Sequence, residues 1–417
     1  MTTDLTVGMQ NHALFLPAIN ETFARFPLLP PTGFPRTLPG GFPPSALNYL
    51  DPHTPFFHYH AGLHSAAFGV YETNPTIITA RDRKRTVIVG DSGGFTEINN
   101  GLKEPLETFR PRSLDWQERN CDVGTILDVP TPALAIQGGK YTNLQQCLDV
   151  TLDSIRHAID HRWNADMALL TVMQGRDRSE ARAWQAGIAP YQPEFEGIAL
   201  AGAMKLDFAL WAELLIDMRD KRQLDKLRWI HVLGTAQPGV GVMLTGLQRA
   251  LRKHLNPAIT ISYDSSLAFR IVQVNKQITT GIVYDRETMR FSRYHFPDHW
   301  SALDRKARFP FSSPLGDLAK VGDFNPANAN SVTGWDTLGI QMLSHHEVFK
   351  EVTALAEVNR LAEAEITLKG QTPWHVRQAW AGFDAIFSSA TPMKEIGRYK
   401  HFLNHYGKGG ALEDDAR

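Results

Sequence analysis

Two acidic residues far apart in the chain each stand where a short apolar run stops. Asp91 ends Val87-Ile88-Val89-Gly90 and is followed by Ser92-Gly93-Gly94-Phe95, and Asp264 ends Ile259-Thr260-Ile261-Ser262-Tyr263. Two carboxylates facing one substrate are the usual equipment for displacement at a sugar carbon. One attacks the anomeric carbon and the other moves a proton on the leaving group. Other polar or glycine residues end comparable runs: Asp128 after Gly124–Leu127, Gln174-Gly175 after Ala168–Met173, Gly202 after Gly197–Ala201, and Gly234-Thr235 after Trp229–Leu233. Asp128 and Gln174 offer an acceptor and an amide to a planar ligand edge. The backbone of Gly202 and Ala203 adds donors and acceptors, and Phe95 is placed to stack on a ring. Taken singly, each of these residues also serves as a helix N-cap or turn residue.

The elements that must carry these residues follow from the rhythm of the chain. From residue 86 onward, short β-branched runs alternate with amphipathic patterns. Leu144, Leu148, Leu152, Ile155 and Ile159 keep one helical face; Phe208, Leu210, Leu214, Leu215 and Met218 keep another; Val242, Leu244, Leu247 and Leu251 a third. Strand–helix alternation predicts an α/β fold with parallel strands and crossover helices. A doubly wound sheet and a (β/α)8 TIM barrel both fit. Polar residues at every strand end favour the barrel, whose functional residues gather at that face. The expected organisation is an irregular Pro/Gly-rich N-terminal arm over residues 1–50, a barrel core over 51–290, an insertion over 291–336, and C-terminal helices over 337–417. The last of these show the helical pattern Val348, Val352, Leu355, Val358 and Leu361, which suits packing on the barrel or dimerisation.

Composition bounds the rest. The 417 residues are 43% hydrophobic and 21% charged, ordinary for a globular chain with a large core. A net charge of −1 exerts no global pull on nucleic acid or membrane. Local basic runs occur at Arg81–Arg85, Arg219–Arg228 and Arg249–His254, and solvated helix faces account for them. Two cysteines, Cys121 and Cys147, make no disulfide framework. Neither a secretory leader nor a membrane-length apolar run is visible, so a cytoplasmic protein is the expectation.

Several motifs in order resemble the tRNA-guanine transglycosylases and their DNA-acting relatives. DSGGF (Asp91–Phe95) resembles the family signature, ILDVPTP (Ile126–Pro132) its Asp-containing strand end, and MQG (Met173–Gly175) its base-reading Gln. FEGIALAGAMK (Phe195–Lys205) resembles its glycine backbone reader, HVLGTAQP (His231–Pro238) its Gly turn before a Pro, and YDSSLAFR (Tyr263–Arg270) its nucleophile segment. The resemblance covers about residues 85–275. It implies a TIM barrel in which Asp264 attacks C1′ of a nucleotide and expels guanine, while Asp91 handles the proton on departing and entering bases. It further implies that Asp128, Gln174 and the Gly202–Ala203 backbone read the base edge, with Ser92 beside the base. Phe95 and Leu233 would cover its two faces, and Arg270 would hold the polynucleotide backbone.

The chain also departs from that family. The family carries zinc on three closely spaced Cys and a later His, but residues 271–417 contain no Cys. His346 stands where the His ligand would be. No metal and no cofactor is therefore expected, and the segment Arg290–Trp335 is expected to replace the zinc subdomain. Thr96 stands where the family has Gln, and Ala201 replaces one of the paired glycines before Gly202. His53, His58, His60 and His64 form a further cluster in which His58 and His60 would share a strand face. His401 and His405 have helical spacing, and a solvated helix face is expected for them. Loss of the thiolates together with the N-terminal arm favours the DNA-acting branch, which exchanges guanine in DNA for a 7-deazaguanine such as preQ0. The expected partners are DNA and a 7-deazaguanine base, with a homodimer or accessory modification proteins left open and no membrane. The alternatives are a tRNA-acting enzyme, a non-catalytic nucleic-acid-binding subunit, and a barrel glycoside hydrolase.

Overall fold

Eight short apolar runs become the strands of one parallel sheet: β1 Leu14–Pro17, β2 Ala61–Ser65, β3 Val87–Asp91, β4 Val123–Thr125, β5 Ala168–Met173, β6 Gly197–Leu200, β7 Trp229–Val232 and β8 Thr260–Ser265. This computed structural model describes residues 2–30, 36–99, 101–284, 289–297, 302–364 and 372–407. Each strand pairs with its sequence neighbour from β2 to β8, and β8 turns back to pair with β1, Asp264 lying opposite Leu16. A bridge between Ala18 and Leu63, with the Ile19 amide donating to the Leu63 carbonyl at 2.8 Å, brings β1 against β2 and closes the ring. The fold is thus an α/β barrel of the (β/α)8 type. Strands buried on both faces need no polar alternation, which is why β5 is buried at all six positions.

Helices α1 Leu106–Asn120, α2 Leu144–His161, α3 Arg178–Ile188, α4 Phe208–Asp220 and α5 Pro238–His254 fill the crossovers from β3 to β8. Asn143, Asp177 and Asp207 cap α2, α3 and α4, each side chain accepting the amide three residues on at 2.9–3.0 Å. The expected face of α2 is rotated. Cys147, Leu148, Thr151, Ile155 and Ala158 are buried, whereas Ile159 is 41% exposed.

Three expected boundaries are corrected. The stretch 1–50 is not merely an arm, because Leu14–Pro17 is a barrel strand. Strand donors alternate between neighbours: the Ala18 amide serves Ser265 and the Ile19 amide serves Leu63. Pro17, which lacks an amide proton, falls on the β2 side, where a single bridge joins the strands and little is lost. The barrel strands therefore span residues 14–265 rather than 51–290. The departure from the barrel begins after β8 rather than at residue 291. A short helix, Leu267–Arg270, leads to an antiparallel hairpin of β9 Gln277–Tyr284 and β10 Met289–His295. The chain rejoins the barrel wall with α6 Thr337–Glu363, which packs on α5 and on the Leu267–Arg270 helix. α7 Trp374–Ser388 and α8 Pro392–Leu403 then cover α5 and α4 from outside, Trp380 Nε1 donating to the Val242 carbonyl at 2.9 Å. Val348, Val352, Leu355, Val358 and Leu361 are all buried, as their spacing predicts.

Where β9 lies on α6, Glu347 is fully buried and accepts the Thr279 amide at 2.8 Å. Burial pushes its carboxyl up to about 7, against the pull of the Thr279 amide. A carboxyl raised in the folded state costs nothing while both states are protonated. Stability is lost as pH climbs from about 4.5 to about 7, because only the unfolded chain ionises freely there. Glu347→Gln keeps an acceptor for Thr279 without the charge. It is expected to match the parent near pH 4 and to exceed it by about 2 kcal/mol at pH 8, measured by urea unfolding at both pH values.

Candidate active site

Strand β3 delivers Asp91 at its last position, opposite Ser65, the last residue of β2. Ser65 and the Gly93 backbone both act on the Asp91 carboxylate in the direction that favours its charged form. Desolvation nevertheless raises its carboxyl above the usual range, and the negative charge of Asp264 adds to the rise. Chain direction must change immediately beyond Asp91, and Gly93 does this with φ of 93°, a value that favours glycine. A short helix, Gly94–Ile98, starts there and leaves Phe95 65% exposed. Gly94 is held to glycine by contact instead. A Cβ at this position would overlap the Asp128 carbonyl oxygen and stand 2.9 Å from its Oδ1. Gly94→Ala is accordingly expected to lower stability by about 1–3 kcal/mol, read from denaturant titration, because the clashing atom is backbone and cannot swing aside. Ser92 is buried and pinned by its backbone, its amide donating to Thr125 Oγ1 at 2.9 Å and its carbonyl accepting from Ser113 Oγ at 3.0 Å.

Asp128 lies three residues past the end of β4, and Gln174 directly follows β5. Gln174 Nε2 donates to Asp128 Oδ2 at 2.7 Å. Gln174 Oε1 accepts from Thr131 Oγ1 at 3.2 Å, which sets the amide's orientation. Both side chains are nearly fully buried. Burial pushes the Asp128 carboxyl up to about 7, opposed by the Gln174 hydrogen bond and assisted by the charge of Asp91. Gly202, at φ of 70°, presses on the same amide, since a Cβ there would be 2.9 Å from Gln174 Oε1. Ala203 beside it is exposed.

Asp264, 7% exposed, is held by the turn after β7. The Gly234 amide donates to its Oδ1 at 2.8 Å, and the Thr235 amide donates to its carbonyl at 2.6 Å. Leu233, half-buried, continues the β7 ladder by donating to the Leu200 carbonyl at 3.0 Å. Arg270 is exposed at the end of the helix that follows Asp264.

All the expected rim residues thus lie at or just beyond the C-terminal ends of successive strands, the face on which a barrel assembles its chemistry. Contacts join them into two groups: Asp91 with Ser65, and Asp128 with Gln174, Gly94 and Gly202. Asp91 feels the charge of Asp264, and Asp128 feels that of Asp91, which ties the three acids together. Ser65, Thr131 and His231 were not expected as site residues. Ser65 ends a run broken by Gly62 and His64, so it carries no strand-end signal of the kind that marks Asp91. The other two depend on neighbours distant in sequence.

The side groups singled out elsewhere fall away from the site. Arg81, Arg222 and Lys253, from the three basic runs, pair with Asp122, Asp225 and Asp384 at 2.6, 2.8 and 2.7 Å. His58 Nδ1 meets the Tyr49 carbonyl at 3.1 Å, His64 Nδ1 meets the Ile19 carbonyl at 2.8 Å, and His53 is exposed. His405 departs from expectation: α8 ends at Leu403, and the His405 ring stacks on His375 at 3.5 Å instead of sharing a solvated face with His401. The zinc implied by the resemblance does not fit this chain. His346 is fully buried, with Nδ1 2.8 Å from Ser313 Oγ and its ring edge-on to Phe309. A hydroxyl and aromatic rings are not a zinc donor set. Among the described residues no group of three or more His, Cys, Asp or Glu could hold a metal ion. Nor is any helix among them long and apolar enough to cross a membrane.

No family model matches this chain, and no curated protein matches it.

Proposed function

We propose that this protein is a guanine transglycosylase that exchanges guanine in DNA for a 7-deazaguanine base of the preQ0 type. The observation that carries the reading is the buried Asp128–Gln174 pair on the same barrel rim as Asp91 and Asp264. An acceptor and an oriented amide held side by side suit the edge of a planar base better than the scattered hydroxyls of a sugar. Such a base must first leave its stack. Exposed Phe95 would take one face of it and Leu233 the other, with Ser92 and the Gly202–Ala203 backbone at its edge.

In this reading an Asp264 carboxylate oxygen attacks C1′. The bond from C1′ to the guanine nitrogen breaks, its electron pair leaves with the base, and Asp91 supplies a proton. The raised Asp91 carboxyl suits that donation. The incoming base then gives a proton to Asp91, its nitrogen attacks C1′, and Asp264 is released as carboxylate. Bond energy is conserved in the glycosyl ester, so no nucleoside triphosphate is required. Arg270, exposed just past the nucleophile, would meet a backbone phosphate.

The choice of DNA over tRNA is supported by the stretch between Asp264 and His346, which contains no Cys and in which Ser313 and Phe309 pack on His346. The N-terminal arm lends it less support, since part of that segment is barrel wall. The test is direct: incubate the protein with preQ0 and either duplex DNA or tRNA, digest to nucleosides, and analyse by mass. A deazaguanine deoxynucleoside formed from DNA alone is the expected result. Product from tRNA alone would reverse the substrate, and product from neither would point to a missing partner protein or to a binding subunit.

A further inference from the structure

We infer that His231 is a positioning residue for Asp264, steering Oδ1 so that Oδ2 makes the attack; this rests on the glycosyl-transfer reading above. His231 lies on β7 opposite Ser262 of β8 and is fully buried. Its Nδ1 is 2.9 Å from Ser262 Oγ, and Trp229 Nε1 donates to that same oxygen at 2.7 Å. An indole nitrogen can only donate, so Ser262 is the acceptor there. Among the described residues the remaining partner for the Ser262 hydroxyl proton is His231 Nδ1. That arrangement leaves the imidazole proton on Nε2, which lies 3.2 Å from Asp264 Oδ1.

The approach of Nε2 to Oδ1 is oblique, and Nε2 makes no hydrogen bond of good geometry in the resting chain. A buried N–H without a partner is costly, so a small rotation of the Asp264 carboxylate that aligns them is favoured once chemistry begins. Oδ1 already accepts the Gly234 amide at 2.8 Å, while Oδ2 takes no hydrogen bond among the described residues. Donors gathered on one oxygen leave the other as nucleophile. They do more in the second half of the reaction. When the entering base displaces Asp264, the electron pair of the breaking ester bond returns to the carboxylate, and the Gly234 and His231 N–H groups stabilise that charge. Their main effect therefore falls on release of the glycosyl ester, and binding of the free base, which is read by Asp128 and Gln174, is untouched.

His231→Leu is expected to slow base exchange by about 100-fold, with free-base affinity unchanged. A larger share of labelled DNA should be trapped as protein adduct on denaturing gels. His231→Gln, which can return an N–H to a similar place, should recover much of the rate. A folded His231→Leu protein that exchanges base at the parental rate would overturn the inference, as would a loss that His231→Gln fails to rescue at all. A readout independent of activity is nitrogen NMR of the histidine rings. The Nε2-protonated tautomer is expected for His231, with a resonance that shifts in Asp264→Asn, and the Nδ1-protonated form would overturn the assignment. If the parent protein performs no exchange, the transglycosylase reading fails, and the NMR result still decides the role of His231.

Discussion

Asp264→Ala is expected to abolish base exchange, by about 10⁴-fold or more, and to eliminate the covalent protein–DNA adduct. The size follows from the role: without a nucleophile the two-step route has no first step, and losing a nucleophile removes most of the catalysis its partners supply. The fold should tolerate the change, because the Thr235 amide bonds the Asp264 backbone carbonyl and stays satisfied. The Gly234 amide loses its acceptor, which Asp264→Asn would retain. Comparing the two separates charge from anchoring. If Asp264→Asn is as inert as Asp264→Ala while melting like the parent, the carboxylate acts chemically. Adduct formation on duplex DNA in either variant would assign the nucleophile elsewhere on the rim.

Asp128→Asn should have the second largest effect, and it should act on binding. A guanine-type edge presents adjacent N–H donors, and a carboxylate accepts both. An asparagine turns one of its two positions into a donor, which would then face either the base or the Gln174 Nε2 that now bonds Oδ2. A site built on such bonds rejects a mismatched partner by about 10⁴-fold, so free-base affinity by calorimetry should fall by at least about 100-fold, with DNA binding retained. The same carboxyl sets a pH dependence. Burial holds it at about 7, so it is protonated in weakly acidic buffer and its acceptor form appears only above that range. Affinity for the free base should therefore rise with pH through about 7 and then level off. Stability moves the opposite way: with a folded-state value raised above 3.8, the chain loses stability as pH climbs from about 4 to about 7. Asp128→Asn should thus bind base poorly yet be more stable than the parent at pH 8. A variant that loses both, or a flat affinity profile between pH 6 and 8, would sink this account of Asp128.

Much of the barrel was legible because parallel strands buried on both faces leave a local mark: β-branched runs of a few residues, each ended by a polar or glycine residue. Six of the eight strands carry that mark, and so do the residues at their ends, since a strand end is where a barrel places its chemistry. The two strands that escaped lack it. Leu14–Pro17 ends in proline within a Pro/Gly-rich stretch, and Ala61–Ser65 contains glycine and histidine. Their strand identity comes from partners, β8 and β3, which are distant in sequence or hidden until the ring closes. The electrostatic state of the site was equally beyond a linear reading. Residue types alone say that Asp91, Asp128 and Asp264 are acids; burial and each other's fields raise the first two, and no pattern of neighbours along the chain encodes that. The chain of Trp229, Ser262 and His231 behind Asp264 is also a product of register, because β7 and β8 must align His231 with Ser262 before any proton can be assigned. Types and order of the reactive groups are written in local sequence because apolar runs and their terminators are local. Pairing, orientation and protonation belong to the tertiary structure because they depend on contacts between segments that only the closed barrel brings together.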